Sequence, residues 1–513
     1  VAQSLLDAGL GRGDLVALVV GDAEGFLTSL FGASMAGVVP ASLYPPATTG
    51  DLPHYFEVTA GVLRSAGARA VVTSRTLAPG FELLRGSCPE LGPVLVREDL
   101  DASPNEPRYA PTLDDLAFVQ FTSGSTSSPK GVALSHRNVA ANVEAIRSDA
   151  GLAIESSDVA LSWLPLYHDM GLVGMVFCPL YSSRPAVLMT PQSFVKRPAD
   201  WLRAMTRYQA SISFAPNFAY DLCVRRVKGT DLEGLDLSCW RIAGCGSEPI
   251  NASTLAAFAE KFGPVGFKAT SFVPSYGLAE HAVAAAFTPQ RRLPLVERIA
   301  ADDLADGRVA VPIEDTTAVE VVSCGRAFPD HTIRIVDDCG RPLPDRQVGE
   351  ITLAGPSVMV GYYRDDVSTA QVLRDGWLYT GDLGYLVGSE LFVCGRTKEL
   401  IIVNGRKYHP QDLEWAVDGL AGVRRGRAVA FGVTEHGHSD RVIIVAEPSG
   451  TVTWSDLVAA VRRRIGDLFG LSIDEVILVP SGTIGRTTSG KVQRVATKAR
   501  YECGELAASS ARA

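Results

Sequence analysis

FVQFTSGSTSSPKGVALSHRNV, residues 118–139, decides how this chain is read. The apolar run Phe118–Phe121 predicts a buried strand, and residues 137–148 predict a helix. Between them lie Thr122, Ser123, Gly124, Ser125, Thr126, Ser127, Ser128, Pro129, Lys130 and Gly131. Glycine permits close backbone approach, and successive N–H groups and hydroxyls can surround a polyphosphate while Lys130 supplies positive charge. A Ser/Thr/Gly cluster alone is most often an exposed turn. The flanking strand, the helix beyond and the lysine within make this one a candidate phosphate loop, without identifying a reaction. It is not a Walker A loop, because Lys130 precedes Gly131. GRTTSGK at 485–491 does satisfy GxxxxGK, but Val492 stands where that loop needs Ser or Thr for magnesium.

Outward from this segment the chain alternates helices with short apolar strands. Helical spacing at 2–10, 24–37 and 58–67 is interleaved with the strand-like LVALVV, VVPASLYP and ARAVV. Helix 198–209 and strand 212–216 continue the rhythm. Continuous apolar strands between helices predict a largely parallel sheet covered on both faces. After about residue 315, VEVVSCG, HTIRIVDD, GEITLAG and SELFVCG are short β pieces between Gly, Pro and Asp turns. Beyond Arg396, helices at 412–419 and 454–467 alternate with RAVAFGV, RVIIVAE and EVILVP. The expected fold is therefore α/β. A large N-terminal domain spans 1–396, with a β-rich subdomain at about 315–396, and a small mobile α+β domain spans 397–513. No fixed-period repeat is visible.

The 513 residues exceed what one core usually serves, and 46% apolar with 20% charged residues can fill large interiors. A formal charge of −9 without a basic block argues against general nucleic-acid binding. Nine cysteines are scattered with no CxxC pair, which disfavours a disulfide scaffold or a cysteine zinc site and fits a reducing compartment. His168, His409 and the other histidines show no metal-ligand spacing. VAQSLLDAGLGRGD does not read as a signal peptide, and the apolar runs are too short for a membrane span. A cytoplasmic location is expected.

Several separated stretches share one pattern: FTSGSTSSPKG (121–131), WLPLYHDMGLVG (163–174), SYGLAE (275–280), YTGDLGYL (379–386), GRTKELIIVNGRKYHP (395–410) and GRTTSGK (485–491). In their order and spacing the chain resembles the adenylate-forming superfamily of acyl-CoA synthetases, luciferases and nonribosomal adenylation domains. LYHDMGLVG, AGCGSEPI (243–250) and GRKYHPQD are most similar to the fatty acyl-AMP ligase branch. That branch usually carries an insertion after its GYY segment that disfavours transfer to CoA. Here Gly361 runs to Asp382 without one, which makes CoA a plausible acceptor.

The resemblance implies two steps, carboxylate attack on the ATP α-phosphate and thiol attack on the acyl adenylate. It assigns Thr122, Ser123, Gly124, Ser125, Thr126 and Lys130 to the β/γ-phosphates and Glu280 to magnesium. Tyr276, in the GLAE-bearing segment with Gly277, would stack beside adenine, with Gly246, Ser247 and Glu248 in the same wall. Asp382 would accept from the ribose hydroxyls, and Arg396 would reach ribose or phosphate. Lys491 would touch the carboxylate and α-phosphate oxygens when the small domain is closed. Lys398 would be the hinge, whose rotation withdraws Lys491 and brings the Gly405 loop to the second acceptor. His168 is expected to gate or orient, and not to act as a base.

An acyl pocket is expected among Met170 to Gly174, Phe214 to Asn217 and Ala243 to Gly246, with Gly and Ala of the last segment leaving room for a bulky or polycyclic acid. The cofactors implied are ATP, magnesium and either CoA or a carrier protein's phosphopantetheine. The competing readings are carrier-protein loading, thioester formation from ready-made acyl-AMP, and a non-catalytic scaffold.

Overall fold

The structure is a computed structural model that describes all residues except 47–51, 101–108, 122–128, 306–309, 311, 315–317, 436–438, 451, 487–491 and 507–513. The large N-terminal domain is α/β and holds two seven-stranded sheets. In the first, Leu15–Val19 pairs in parallel with Val39–Ser42 and Ala70–Thr73, which continue in parallel to Leu116–Phe121 and Val94–Val96 respectively. Gly131–Ser135 then folds back antiparallel on Leu116–Phe121, and Gly361–Tyr362 closes that edge.

The second sheet follows the same plan. Phe272–Tyr276, Ile242–Cys245, Ile212–Ala215, Ala160–Ser162 and Ala186–Leu188 run in parallel. Ala286–Phe287 and Arg326–Ala327 reverse at the edge. All of Leu15–Val19 is buried, as a strand covered on two faces requires.

One expectation is corrected here. The candidate phosphate loop does not lead directly to a helix, because GVALS forms the strand Gly131–Ser135 first. Its residues are apolar enough to pair at the sheet edge, and Ser135 then caps helix His136–Arg147. The Ser135 hydroxyl accepts from Asn138 N at 3.2 Å, and Asn138 Oδ1 accepts from Ser135 N at 3.0 Å. Asn138 Nδ2 also donates to Pro356 O and Val358 O, which ties in the segment before Gly361–Tyr362. The second sheet is braced by buried aromatics. Trp163 stacks on Phe194 at 3.9 Å between centroids, and Trp201 and Trp240 meet edge-on at 5.1 Å.

The β-rich part contains Thr332–Val336, Gly349–Ala354, Leu373–Arg374, Trp377–Val387 and Glu390–Arg396 in one antiparallel sheet. The smaller C-terminal domain is α+β. Strands Val423–Glu435, Ser439–Pro448 and Glu475–Leu478 carry helices Pro410–Asp418, Trp454–Phe469 and Arg494–Glu502. Alternation along the middle strand separates two cores. Val442, Ile444 and Ala446 face one, while Ile443 and Val445 face the other. Among the described residues no helix is long and apolar enough to cross a membrane.

Candidate active site

Both sheets turn from parallel to antiparallel pairing at one place each, after Leu116–Phe121 and after Phe272–Tyr276. The carboxyl ends of parallel strands are where open α/β sheets gather ligands. Of the residues singled out from sequence, the connections that leave them contain the candidate phosphate loop with Lys130 (122–130) and Gly277 with Glu280 (277–285). Thr122, Ser123, Gly124, Ser125, Thr126 and Lys491 lie outside the described residues.

Tyr276, at the end of its strand, donates its hydroxyl to Asp382 Oδ2 at 2.7 Å. Arg396 Nε donates to Asp382 Oδ1 at 2.6 Å, and the two residues face each other on neighbouring strands. Gly381 has φ +71°, the left-handed backbone that the turn before Asp382 needs, and its N–H donates to Glu350 Oε1 at 2.9 Å. Burial, with Asp382 beside it, holds the Tyr276 phenol well above its usual range, and Asp382 raises Arg396 further. Three residues separated widely in sequence thus form one hydrogen-bonded group.

A second group joins Glu280 to Lys130. Glu280 sits in the short turn Ala279–His281, where its carboxylate accepts from the Tyr362 hydroxyl at 2.9 Å. Burial pushes the Glu280 carboxyl up. Lys130 Nζ lies 4.7 Å from the centroid of the Tyr362 ring, a cation–π distance. Tyr362 therefore bridges two residues assigned to phosphate and metal, and the sequence reading missed it. The available signal was its place in the GYY segment, 361–363.

The wall between these groups is built by close backbone packing. A Cβ on Gly246 would meet Ser275 Oγ at 2.6 Å, and one on Gly277 would meet Val283 O at 1.7 Å. Ser247 takes φ +71° between Gly246 and Glu248. Glu248 Oε1 accepts from Phe218 N at 2.6 Å, which caps helix Asn217–Arg226.

His168 Nδ1 lies 2.5 Å from Asp169 Oδ1, and the same oxygen accepts from Met170 N at 2.7 Å. Gln120, on the strand that enters the phosphate loop, donates to Tyr167 O at 2.6 Å. This bond anchors the His168 segment to the first sheet.

A largely apolar cavity opens among Asp169, Ser247, Tyr276 and Gly277. Its wall includes the π-helix Met170–Phe177, where i→i+5 pairing returns a side chain to one face roughly every four to five residues. Met170, Gly174 and Met175 line it accordingly, with Pro179 just beyond the helix's end. Phe214 and Ser247 line it too, but Ala243 to Gly246 do not. The expected room at Gly244 is already filled, since a Cβ there would lie 2.1 Å from the Phe214 ring. The open glycine is Gly174, whose Cβ would meet nothing within 4 Å.

Lys398 and Gly405 are not brought to this site. Lys398 is exposed in the turn Thr397–Glu399, directly after Arg396. Asn404 (φ +52°) and Gly405 (φ +82°) form the two-residue turn between Ile401–Val403 and Arg406–Tyr408. Beside that turn Arg406 is ion-paired with Asp302 of the large domain.

Magnesium takes one or two carboxylates together with substrate phosphates and water. Glu280, with Tyr362 on one oxygen and Lys130 nearby, fits that donor set as its single carboxylate. Among the described residues no group of three or more His, Cys, Asp or Glu is placed to hold a metal by itself.

A family profile described as AMP-binding enzyme matches residues 1–363. The medium-chain-fatty-acid–[acyl-carrier-protein] ligase JamA of Moorena producens is 34% identical over 506 residues, covering 94% of this chain and 84% of that protein. The 4-hydroxyphenylalkanoate adenylyltransferase of Mycobacterium marinum is also 34% identical, over 98% of this chain and 84% of its own length. A structure from work on fatty acyl-adenylate ligases of E. coli and L. pneumophila matches with TM-score 0.90 and 36% identity, over 99% of this chain and 91% of that one. Fold, motifs and relatives agree: the chain belongs to the AMP-binding, adenylate-forming enzymes, as an ATP-dependent ligase related to the fatty acyl-AMP ligases.

Proposed function

We propose that this ligase activates a hydrophobic carboxylic acid as its acyl adenylate and passes the acyl group to CoA. The observation that carries the substrate class is the apolar cavity opening beside Tyr276 and Ser247. Its lining, from Met170 and Phe214 to Phe287, is predominantly apolar, which suits a hydrophobic acyl group. The absence of an insertion between Gly361 and Asp382 favours CoA.

In the first step a carboxylate oxygen attacks the α-phosphorus of ATP, and the bond to pyrophosphate breaks. In the second a thiolate attacks the acyl carbon, and AMP leaves. Bound magnesium would offset the negative charge that the first attack brings together. Glu280 would hold it, while Lys130 and the loop Thr122–Thr126 embrace the β/γ-phosphates. Asp382 would exchange its contact with the Tyr276 hydroxyl for the ribose hydroxyls, and Arg396 would stay on that carboxylate or reach phosphate. Gly246 and Gly277 let backbone approach the adenine, beside Ser247 and Glu248. Lys491 would contact the carboxylate and α-phosphate oxygens. The small domain, 397–513, would turn at Lys398 to exchange Lys491 for the Gly405 hairpin, and His168, oriented by Asp169, would stand between nucleotide and acyl cavity.

A second reading, loading of a carrier protein, is favoured by the similarity to JamA, a ligase of that kind. Carboxylate-dependent pyrophosphate release, followed by transfer from the acyl adenylate to CoA or to a phosphopantetheinylated carrier, separates the two. Pyrophosphate release with medium-chain or aryl-alkanoic acids and rapid CoA thioester formation is expected. Release followed by transfer to the carrier alone would replace the first reading with the second. No release with any hydrophobic acid would sink both.

A further inference from the structure

The seam between the two domains has a feature that the reaction scheme does not use. Helix Asn217–Arg226 of the large domain starts at the cavity wall, where Glu248 caps it. One turn on, Asp221 points two ways. Its Oδ2 accepts from Arg225 of the same helix at 2.7 Å, and its Oδ1 lies 3.3 Å from Nε of Arg425 of the small domain. Asp221 is largely buried, whereas Arg425 is about half exposed.

Beside this pair Arg486 of the small domain places its guanidinium 5.9 Å from the centroid of the Phe218 ring. Arg486 also donates to Gly426 O, next to Arg425, so both arginines are held at one irregularity in the strand Val423–Glu435 of the small domain. That irregular stretch is fixed to helix Pro410–Asp418, where Gly426 N donates to Asp418 Oδ2 at 2.9 Å.

The position of this contact matters. Arg486 is five residues before Lys491. Arg486 itself docks on Phe218, whose N–H is held by Glu248 of the proposed nucleotide wall. The Gly405 hairpin is meanwhile held on the large domain through Arg406 and Asp302, and none of its residues lines the cavity. The pairing seen here therefore belongs to the orientation of the first step. The contact is also reversible by its chemistry. An ion pair and a guanidinium on an aromatic face can be exchanged for water far more cheaply than a buried apolar interface.

We propose that Asp221–Arg425 and Arg486–Phe218 form a latch that holds the small domain in the carboxylate-activating orientation and opens for thioester formation. Asp221 and Arg425 are positioning residues, since neither lines the cavity. The proposal rests on the two-step reading above.

The test uses the whole chain. Arg425→Asp reverses the pair, and Arg425→Asp with Asp221→Lys restores it with opposite polarity. Carboxylate-dependent pyrophosphate release is expected to fall about fivefold in the single variant. Thioester formation from synthetic acyl-AMP should be unchanged or faster, and the double variant should recover pyrophosphate release to within about twofold. Hydrogen exchange at residues 217–226, which needs no activity, should rise in the single variant and return in the double one. Equal losses in both half-reactions, unchanged exchange, or no recovery in the double variant would overturn the latch. A wild-type chain that releases no pyrophosphate would sink the two-step reading, and the exchange data alone would then decide whether the contact exists.

Discussion

The connections 122–130 and 277–285 leave equivalent places in two sheets of the same plan, yet they are specified in opposite ways. The first is written in residue types legible from sequence: hydroxyls, one glycine and one lysine. The second is written in packing. Gly277 lies against Val283 O, Ala282 holds φ +59°, and His281 is buried with Nδ1 2.8 Å from Ala284 O. Asn142, fully buried on helix His136–Arg147, brackets Ala284 by donating to its carbonyl at 2.8 Å and accepting from its N–H at 3.2 Å. Met359 N donates to Glu280 O at 2.9 Å. In the proposed reaction the first connection would supply charge and donors, and the second a carboxylate fixed by packing. Preorganisation of this kind is what stabilises developing charge without reorganisation during the reaction.

Substitutions should therefore separate stability from activity in the first connection and join them in the second. The largest effect is expected for Gly277→Ala, because its methyl group would lie 1.7 Å from a backbone oxygen that cannot rotate away. Urea unfolding should show a loss of about 3 kcal/mol or more, with pyrophosphate release abolished. A stable, active variant would show that the connection yields easily, contrary to its packing. Lys130→Ala comes next. It should cost about 100-fold in pyrophosphate release, the effect of removing one charge-stabilising group, while the midpoint of urea unfolding hardly moves. A loss of stability as large as the loss of rate would erase the contrast between the two connections.

The carboxylate in the second connection can be weakened without disturbing its backbone. Tyr362→Phe keeps the ring under Lys130 and removes only the hydroxyl that donates to Glu280. About tenfold slower pyrophosphate release is expected, the usual worth of one hydrogen bond to a charged acceptor. Transfer from preformed acyl-AMP should change less. If both half-reactions slowed together, the Tyr362–Glu280 bond would not serve the first step specifically.

Tyr362 also marks the limit of what the sequence discloses. Tyr276, Glu280 and Asp382 stand inside short motifs whose local order identifies them, and the α/β and α+β divisions follow from the spacing of apolar residues. Tyr362 lies in a two-residue strand whose partner, Val132, is more than two hundred residues away. Its contact with Glu280 follows only from edge pairing in the first sheet. Gly244 failed for a related reason. A glycine next to a cavity suggests space, but whether that space belongs to the cavity or to a neighbouring ring depends on which way Phe214 points. The strand Gly131–Ser135 was missed because a five-residue segment between a loop and a helix has no period long enough to distinguish strand from helix. Nothing local in the sequence links Arg425 to Asp221, since their pairing requires the two domains to be placed together.

The smallest expected effect concerns pH. Burial holds the His281 imidazole down at about 4, with the neighbouring His331 ring adding to the shift. An unfolded histidine titrates near 6.5. Between about pH 6.5 and about pH 4 the unfolded chain thus binds a proton at this site that the folded chain does not. Stability contributed by neutral His281 is complete above pH 6.5 and is lost as the pH falls through that window, with a slope of at most about 1.4 kcal/mol per pH unit. His409, buried in the small domain and also lowered to about 4, contributes a slope of the same sign, so the whole-chain slope assigns nothing to either residue. The difference between chains does. His281→Gln removes this titration, and with it the bond to Ala284 O, at a cost of about 1 kcal/mol at pH 7.5. The variant should then lose less stability than the wild type on going to pH 5. Parallel unfolding curves for the two chains across that range would mean that the 277–285 connection admits a charged His281, and so is looser than its packing against Asn142 and Val283 requires.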